Sequence, residues 1–282
     1  MPSSSTPATP GSATHAIVTD AAADVPGPER AGIEWLVAPE LWCGGGLELP
    51  DGGEHSRDLV RMVLGPAAMR VSEPDRDAFA QLYAELSGVD HVWSIHASAQ
   101  VSRAVASARA AAVTFPNVQV VECAAAGIGV GLLASRVRAL TREGHGAEAI
   151  AHYLQRQAPN VRYLVVPDRF DPASGQRLVT ATLLAGRSLL AGPDGSMGRG
   201  KRLRSRRATV GAIEQYLAGH APADRTIRLA VGHGDAAGAV DPFLDIVERV
   251  RPNASIELVG RVGPRLVRQL GTRCVGLALL VE

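Results

Sequence analysis

The sequence has few aromatic residues and few cysteines, which excludes an aromatic-rich core and argues against a disulfide framework. Aromatic residues make up 4% of the 282 positions, so the core has to be built mainly from Ala, Val, Leu and Ile. The three cysteines, Cys43, Cys123 and Cys274, are odd in number and far apart. Their spacing predicts neither a metal site nor a disulfide framework, and it favours a reducing cytoplasm.

The chain also lacks a strong net charge and a long apolar run. Its formal net charge is +1, which provides little electrostatic attraction for a polyanion. The longest apolar stretch, AAAGIGVGLLA, is shorter than the roughly 20 residues that a membrane-spanning helix needs. We therefore expect a cytoplasmic protein that does not bind nucleic acid and does not insert stably into a membrane.

Short apolar segments alternate with amphipathic segments along the first half of the chain. HAIVTD and VQVVEC are typical of buried strands, whereas GIGVGLLASRVRALTREG is typical of a helix. This alternation predicts a parallel sheet with helices on both faces. The second half contains more strand-like segments and the turn signal AGPDGSM, so it predicts a mixed sheet.

The composition predicts three parts of the chain. Residues 1–14 are rich in Pro, Ser and Thr and predict a disordered tail. Residues 15–158 predict an N-terminal α/β domain, and residues 159–282 predict a C-terminal α/β domain.

Two serines lie where strands or loops lead into predicted helices. Ser72 precedes one helix, and Ser98 follows a strand, with Ser102 one turn further on. Helix N-capping alone would explain these serines. A hydroxyl beside the free N–H groups of a helix start also favours an anion, however, and two such starts facing each other would hold a carboxylate. Thr19 ends the first strand at the same predicted edge of the sheet.

Two further segments suggest a nucleotide or nucleic acid as ligand. GIGVGLLA opens a helix, but its glycines lack the G-x-G-x-x-G spacing, so a tight turn with close helix–sheet packing is the simpler interpretation. GRGKRLRSRRA is basic but contains no aromatic residue for base stacking, and a solvated face explains most of it. We find no metal signature and no convincing Ser–His–Asp arrangement, and we expect His96 to be a satisfied core residue.

Six segments occur in an order that resembles one known family. They are IVTDAAADVP, VSEP, SIHASAQVSRAVASA, VVECAAAGIGVGLLA, GPDGSMGRGKRLRSRRA and VGPRLVRQLGTRCVGLAL. The first four are similar to I-V-T-D-S-x-A-D-L, T-S-Q-P, a serine-rich element and V-x-D-S-x-x-x-S-x-G-x-G. The last two are similar to a hairpin with K-x-R and a closing element with a histidine. Together they resemble the DegV family of bacterial fatty-acid-binding proteins, from about residue 15 to the C-terminus.

The resemblance implies a two-domain α/β fold with a fatty acid buried between the domains. The carboxylate would be held by serine hydroxyls and helix starts, and the tail would lie in an aliphatic tunnel. Members of the family carry lipid and are not enzymes, and in part of the family a partner kinase phosphorylates the bound carboxylate. We therefore expect a lipid carrier without a cofactor, whose ligand-binding residues are Thr19, Ser72, Ser98, Ser102, Arg204 and Gln269.

Departures from the family pattern fall on the head-group pocket. Val71, Ala99 and Ala21 stand where the family has hydroxyl residues, and Gln269 stands in place of the histidine. A glutamine can donate a hydrogen bond but cannot carry a charge. A sixteen-carbon tail contributes at most about 11 kcal/mol on burial, so the head-group pocket decides whether an acid is accepted. Two alternatives stay open, namely a family fold with a changed or lost ligand and a nucleotide- or nucleic-acid-binding regulator.

Overall fold

The computed structural model describes most of the chain outside the N-terminal tail and several loops. The described residues are 13–20, 23–25, 34–36, 40–43, 47–50, 69–71, 73–167, 187–191, 196–234, 237–263, 267, 270–271 and 273–282. Most of the predicted tail, together with Ser72 and Gln269, lies outside these ranges.

The described residues form thirteen strands and six α-helices. The strands are β1 (His15–Asp20), β2 (Glu34–Leu36), β3 (Glu40–Cys43), β4 (Leu47–Pro50), β5 (Met69–Val71), β6 (His91–Ala97), β7 (Val118–Cys123), β8 (Arg162–Val166), β9 (Arg187–Ala191), β10 (Met197–Arg202), β11 (Ile227–His233), β12 (Ser255–Arg261) and β13 (Val275–Val281). The helices are α1 (Arg76–Glu85), α2 (Ala104–Ala112), α3 (Ile128–Arg142), α4 (Ala147–Gln157), α5 (Arg206–His220) and α6 (Val240–Val250).

A parallel sheet occupies the first half of the chain and a mixed sheet the second. The parallel sheet has the strand order β2-β1-β6-β7, and the mixed sheet has the order β10-β9-β8-β13-β11-β12. In the mixed sheet only β11 and β12 pair in parallel. A small antiparallel sheet of order β4-β3-β5 accompanies the parallel one. The structure thus confirms the predicted α/β fold with a parallel sheet followed by a mixed sheet.

Helix α3 is buried between these two sheets. Ten of its fifteen residues are buried, so the helix is covered around most of its circumference. Leu132 of this helix belongs to one apolar cluster with Ile17 and Ile95 of the parallel sheet and with Val165 and Ala278 of the mixed sheet. A single core therefore crosses from one sheet to the other, and the predicted domain boundary at 158–159 stays a prediction.

Three glycines allow α3 to approach its neighbours closely. Gly127 has a φ angle of 56°, a backbone conformation that residues with a side chain rarely adopt. A Cβ atom at Gly131 would lie 2.5 Å from the carbonyl oxygen of Ala23, and one at Gly129 would meet a side chain at 2.8 Å. These contacts confirm a tight turn with close packing as the reason for the GIGVG stretch.

The side chain of Glu282 joins helices α3 and α4 to the mixed sheet. Its carboxylate accepts hydrogen bonds from Tyr153 at 2.7 Å, Arg228 at 2.7 Å and Arg136 at 3.0 Å. Arg228 also binds Glu257 of β12 at 2.6 Å. Partial burial alone would raise the pKa of Glu282, but the hydrogen bonds from Tyr153, Arg228 and Arg136 outweigh it and lower the pKa.

Replacing Gly131 by alanine should destabilise the protein by at least about 2 kcal/mol, because the new methyl group would overlap the backbone of Ala23. Urea unfolding measures the effect. Gly211→Ala is the matched control, since a Cβ there meets nothing within 4 Å in helix α5, and it should stabilise the protein by about 0.5–1 kcal/mol. Equal effects of the two substitutions would contradict the close packing of α3.

Glu282→Gln should lower the free energy of unfolding at neutral pH by about 2 kcal/mol, because it weakens three charge-assisted hydrogen bonds. The pKa of Glu282 is lowered in the folded protein. The ionised Glu282 therefore contributes its full share to the free energy of unfolding above the pKa of a glutamate in the unfolded chain, about 4.3. This share is lost as the pH falls through the lower pKa that Glu282 has in the folded protein. Chemical unfolding at several pH values should show this loss in the parent chain and not in the variant.

The control for that experiment is Glu143→Gln. Glu143 also binds Arg136, at 2.9 Å, but its side chain is 49% exposed, so its removal should cost less than about 1 kcal/mol. If both variants lost the same stability, the buried position of Glu282 would not be the reason for its effect.

Candidate functional site

The carboxyl ends of β1 and β6 carry polar side chains on the sheet face that α1 and α2 cover. Side chains alternate between the two faces of a strand. Val18 and Val92 pack in the cluster under α1 and α2, whereas Ile17 and Ile95 pack in the cluster with α3. Asp20, Ser94 and His96 therefore share the α1/α2 face, and Thr19 lies on the opposite face.

Four buried side chains form a hydrogen-bonded chain on that face. The Tyr83 hydroxyl lies 2.6 Å from Ser94 Oγ, which lies 2.7 Å from His96 Nε2. His96 Nδ1 lies 2.7 Å from the Asp20 carboxylate. All four side chains are buried. Every bond is satisfied when Nδ1 donates to Asp20 and Nε2 accepts from Ser94, which in turn accepts from Tyr83. Burial raises the pKa of Tyr83 to about 12, against the lowering effect of its bond with Ser94, so the phenol keeps its proton.

The chain includes a Ser–His–Asp set, which the sequence did not reveal. The signal for it was the two-residue spacing of Ser94 and His96 in a predicted strand, because that spacing puts both side chains on one face. Ser94 is fully buried and shares its hydroxyl with two partners, and the rings of Phe79 and His96 form a T-shaped contact with centroids 5.0 Å apart. We interpret the set as a structural hydrogen-bond network that holds the ends of β1 and β6 together. The expectation that His96 is a satisfied core residue is confirmed.

Two predicted helix starts are placed differently in the structure. Helix α1 begins after Asp75, whose side chain accepts a hydrogen bond from the Ala78 N–H at 2.9 Å. Asp75 is thus the N-cap that was assigned to Ser72. Helix α2 begins at Ala104, so Ser98 does not cap it directly and instead heads the turn that precedes it.

Ser98 is fully buried at the end of β6 and binds a neighbouring acid. Its hydroxyl donates to Glu122 Oε1 over a long 3.5 Å, and the Ala99 N–H donates to the same oxygen at 2.8 Å. Arg109 binds the other carboxylate oxygen at 2.9 Å. Partial burial would raise the pKa of Glu122, but the bonds from Ala99 and Arg109 and the charge of Arg109 lower it, so this acid is held as a carboxylate.

The segment that precedes α1 does meet the start of α2, as predicted for an anion site. The contact is made by Glu73, which accepts hydrogen bonds from the backbone N–H of Arg103 at 2.9 Å and from its side chain at 3.1 Å. Ser102 is buried, and its hydroxyl oxygen accepts from the Ala104 N–H at 3.2 Å. Side chains of the protein thus already occupy several of the predicted anion donors.

The structure does not bring all the predicted ligand residues together. The Thr19 hydroxyl donates to the Ile95 carbonyl at 2.8 Å, so its proton is not available for a carboxylate. Arg204 is exposed and follows β10, the edge strand of the mixed sheet. Ser72 and Gln269 lie outside the described residues. Ligand contact by any of these residues stays a prediction.

Asp24 links the carboxyl ends of the two sheets. Its carboxylate accepts a hydrogen bond from the Gly263 N–H at 2.7 Å, and the contact is buried. Gly263 lies just beyond β12, whose last residue, Arg261, is level with His233 of β11. In the sequence, Asp24 stands two residues before Pro26, a pattern typical of a turn. Its residue type gave no sign of this long-range bond.

A cavity with apolar residues and the charged residues Asp245, Arg249 and Arg273 in its lining opens at the same end of the mixed sheet, on the face opposite α3. It has a volume of about 750 Å³ and lies between helices α5 and α6 and the sheet, within the range of pockets that bind small molecules. Two of its lining residues are Val166 of β8 and Val275 of β13. Val275 pairs with Val166 on one side and with His233 of β11 on the other. The other apolar lining residues include Val210, Ile213, Phe243 and Ile246.

The described part of the chain contains no cluster of three or more His, Cys, Asp or Glu side chains that could hold a metal ion. It also contains no helix with the length and apolar character needed to cross a bilayer.

Replacing His96 by alanine should lower the free energy of unfolding by about 3 kcal/mol, because Asp20 and Ser94 lose a buried partner. Urea unfolding tests this expectation. The control is His152→Ala, which removes an exposed imidazole from α4 and should change stability by less than about 0.5 kcal/mol. A His96→Ala variant as stable as the control would contradict a structural role for the hydrogen-bond network through His96.

Comparisons with known proteins agree with this fold. The family model for DegV, described as "Uncharacterised protein, DegV family", matches residues 14–282. A DegV domain-containing protein of Deinococcus radiodurans is 31% identical over 239 residues, which cover 80% of this chain and 85% of that protein.

Solved structures show the same similarity. A DegV-family protein from Thermus thermophilus, described as fatty acid binding, has a TM-score of 0.79 and 26% identity, covering 95% of this chain and all of that one. DegV of Bacillus subtilis, described as a fatty acid binding protein, matches in fold with a TM-score of 0.77 at 20% identity, covering 96% of this chain and all of that one. The family match over residues 14–282, together with the relative from Deinococcus radiodurans, shows that this chain belongs to the DegV family.

Proposed function

We propose that this protein binds a long-chain fatty acid and carries it as a lipid carrier. Family membership supports the proposal, as does the structural relative from Thermus thermophilus, which is described as fatty acid binding. The low aromatic content agrees with an aliphatic surround for an acyl tail.

One observation carries the proposal in this molecule. Asp24 joins the polar strand ends of the parallel sheet to the end of the mixed sheet, so these polar groups and the aliphatic core between the sheets meet at one place. A fatty acid needs this combination, because its tail gains free energy from apolar burial whereas its carboxylate requires hydrogen-bond donors. The head group would lie by Ser98, and the tail would lie between the two sheets.

The donors for the carboxylate are Ser98 and groups of the turn that follows it. Ser98 is fully buried, and its hydroxyl donates to Glu122 over a long 3.5 Å and accepts from the Gln100 N–H at 3.2 Å. The family resemblance adds Ser72 and Gln269, which lie outside the described residues, to the expected ligand contacts. A partner kinase for the bound carboxylate belongs to only part of the family, and Gln269 cannot supply the charge of the family histidine.

Denaturing mass spectrometry of the purified protein tests the proposal directly. We expect co-purified fatty acid, or saturable uptake of added palmitate or oleate. Absence of both would overturn the proposed function and favour the alternative of a family fold with a changed ligand.

Ser98→Ala should weaken palmitate binding about tenfold, because it removes a hydrogen bond to a charged group. Isothermal titration measures the change. Ser107→Ala, in the neighbouring helix α2, is the matched control and should leave the affinity within about twofold. Equal affinities of the two variants would place the head group away from Ser98.

A further inference from the structure

The donors at the end of β6 already hold a carboxylate that belongs to the protein. Glu122 Oε1 accepts from the Ala99 N–H at 2.8 Å and from the Ser98 hydroxyl at 3.5 Å. A fatty-acid head group would present the same chemical group to the same donors. Two carboxylates cannot share them without strong repulsion, because like charges at such short range disfavour each other's ionised forms.

Glu122 has space and a partner for an alternative position. Its side chain is 30% exposed, and it lines an open cleft of about 970 Å³ between β7 and α4. Arg109 binds Oε2, the oxygen that faces away from Ala99, and also lines the cleft. Glu122 can therefore leave Ala99 and keep its ion pair with Arg109 in contact with solvent.

Resting on the proposed function, we propose that Glu122 is a resident carboxylate that competes with the head group of the ligand and so determines specificity. It occupies the Ala99 N–H and the Ser98 hydroxyl in the free protein and has to be displaced by an acid. A long-chain alcohol needs fewer of these donors and brings no charge, so Glu122 disfavours it less. The residue therefore reduces the preference for acids over neutral lipids.

Two substitutions of Glu122 test this competition. Glu122→Gln keeps the shape and removes the charge, and Glu122→Ala removes the group altogether. Both should bind palmitate at least about tenfold more tightly than the parent chain, since a charge-assisted bond no longer has to be broken. Their affinity for 1-hexadecanol should change by less than about threefold. Titration with each lipid gives the affinity of each variant relative to the parent chain, once for palmitate and once for 1-hexadecanol. Thermal melting checks that both variants fold.

Glu148→Gln is the matched control. Glu148 lines the same cleft from α4 and is exposed, so its removal changes the net charge equally without touching the donors at Ala99. This variant should bind palmitate as the parent chain does. Introducing Ser98→Ala into the Glu122→Gln variant should remove most of the gain, because both residues act at one donor set.

The outcomes separate this inference from the proposed function. Palmitate binding by the parent chain that is unchanged in both Glu122 variants would overturn the inference and leave the proposed function standing. Binding by the variants alone would support the resident carboxylate and overturn fatty-acid carriage by the parent chain. Binding by none of the proteins would overturn both, because removal of Glu122 would then have opened no site.

Discussion

The burial of helix α3 between the two sheets is the contact on which the rest of the structure depends. Because Gly131 has no side chain, the helix packs against the backbone of Ala23. That contact fixes the loop after β1, from which Asp24 reaches Gly263. The carboxyl ends of the two sheets thus meet at one place.

The polar groups at this junction are largely satisfied within the protein. Asp20 is bound by His96, Glu122 by the Ala99 N–H, and Glu73 by Arg103. Such bonds keep buried strand ends in place, since an unpaired buried polar group would cost several kcal/mol. They also reduce the donors available to a ligand. In the proposed function, the hydroxyls that this sequence lacks and the protein's own carboxylates act on the same head-group pocket.

Periodicity in the sequence predicted the order of strands and helices, and glycine spacing predicted the packing of α3. Local patterns were ambiguous at helix starts, because Ser72 and Asp75 are both good N-caps and only the backbone decides between them. The hydrogen-bonded chain of Asp20, His96 and Ser94 depends on strand register. The hydrogen bonds of Glu282 come from partners as far as 146 residues away in the sequence. Contacts of that kind leave no local signal in the sequence.

The crystal structure of the protein soaked with palmitate would test the central claim most directly. The account predicts one palmitate molecule, with its carboxylate within hydrogen-bond distance of the Ser98 hydroxyl. It also predicts that Glu122 has moved from Ala99 towards Arg109 and that the tail lies between the two sheets. A carboxylate bound elsewhere, with Glu122 still on Ala99, would contradict it.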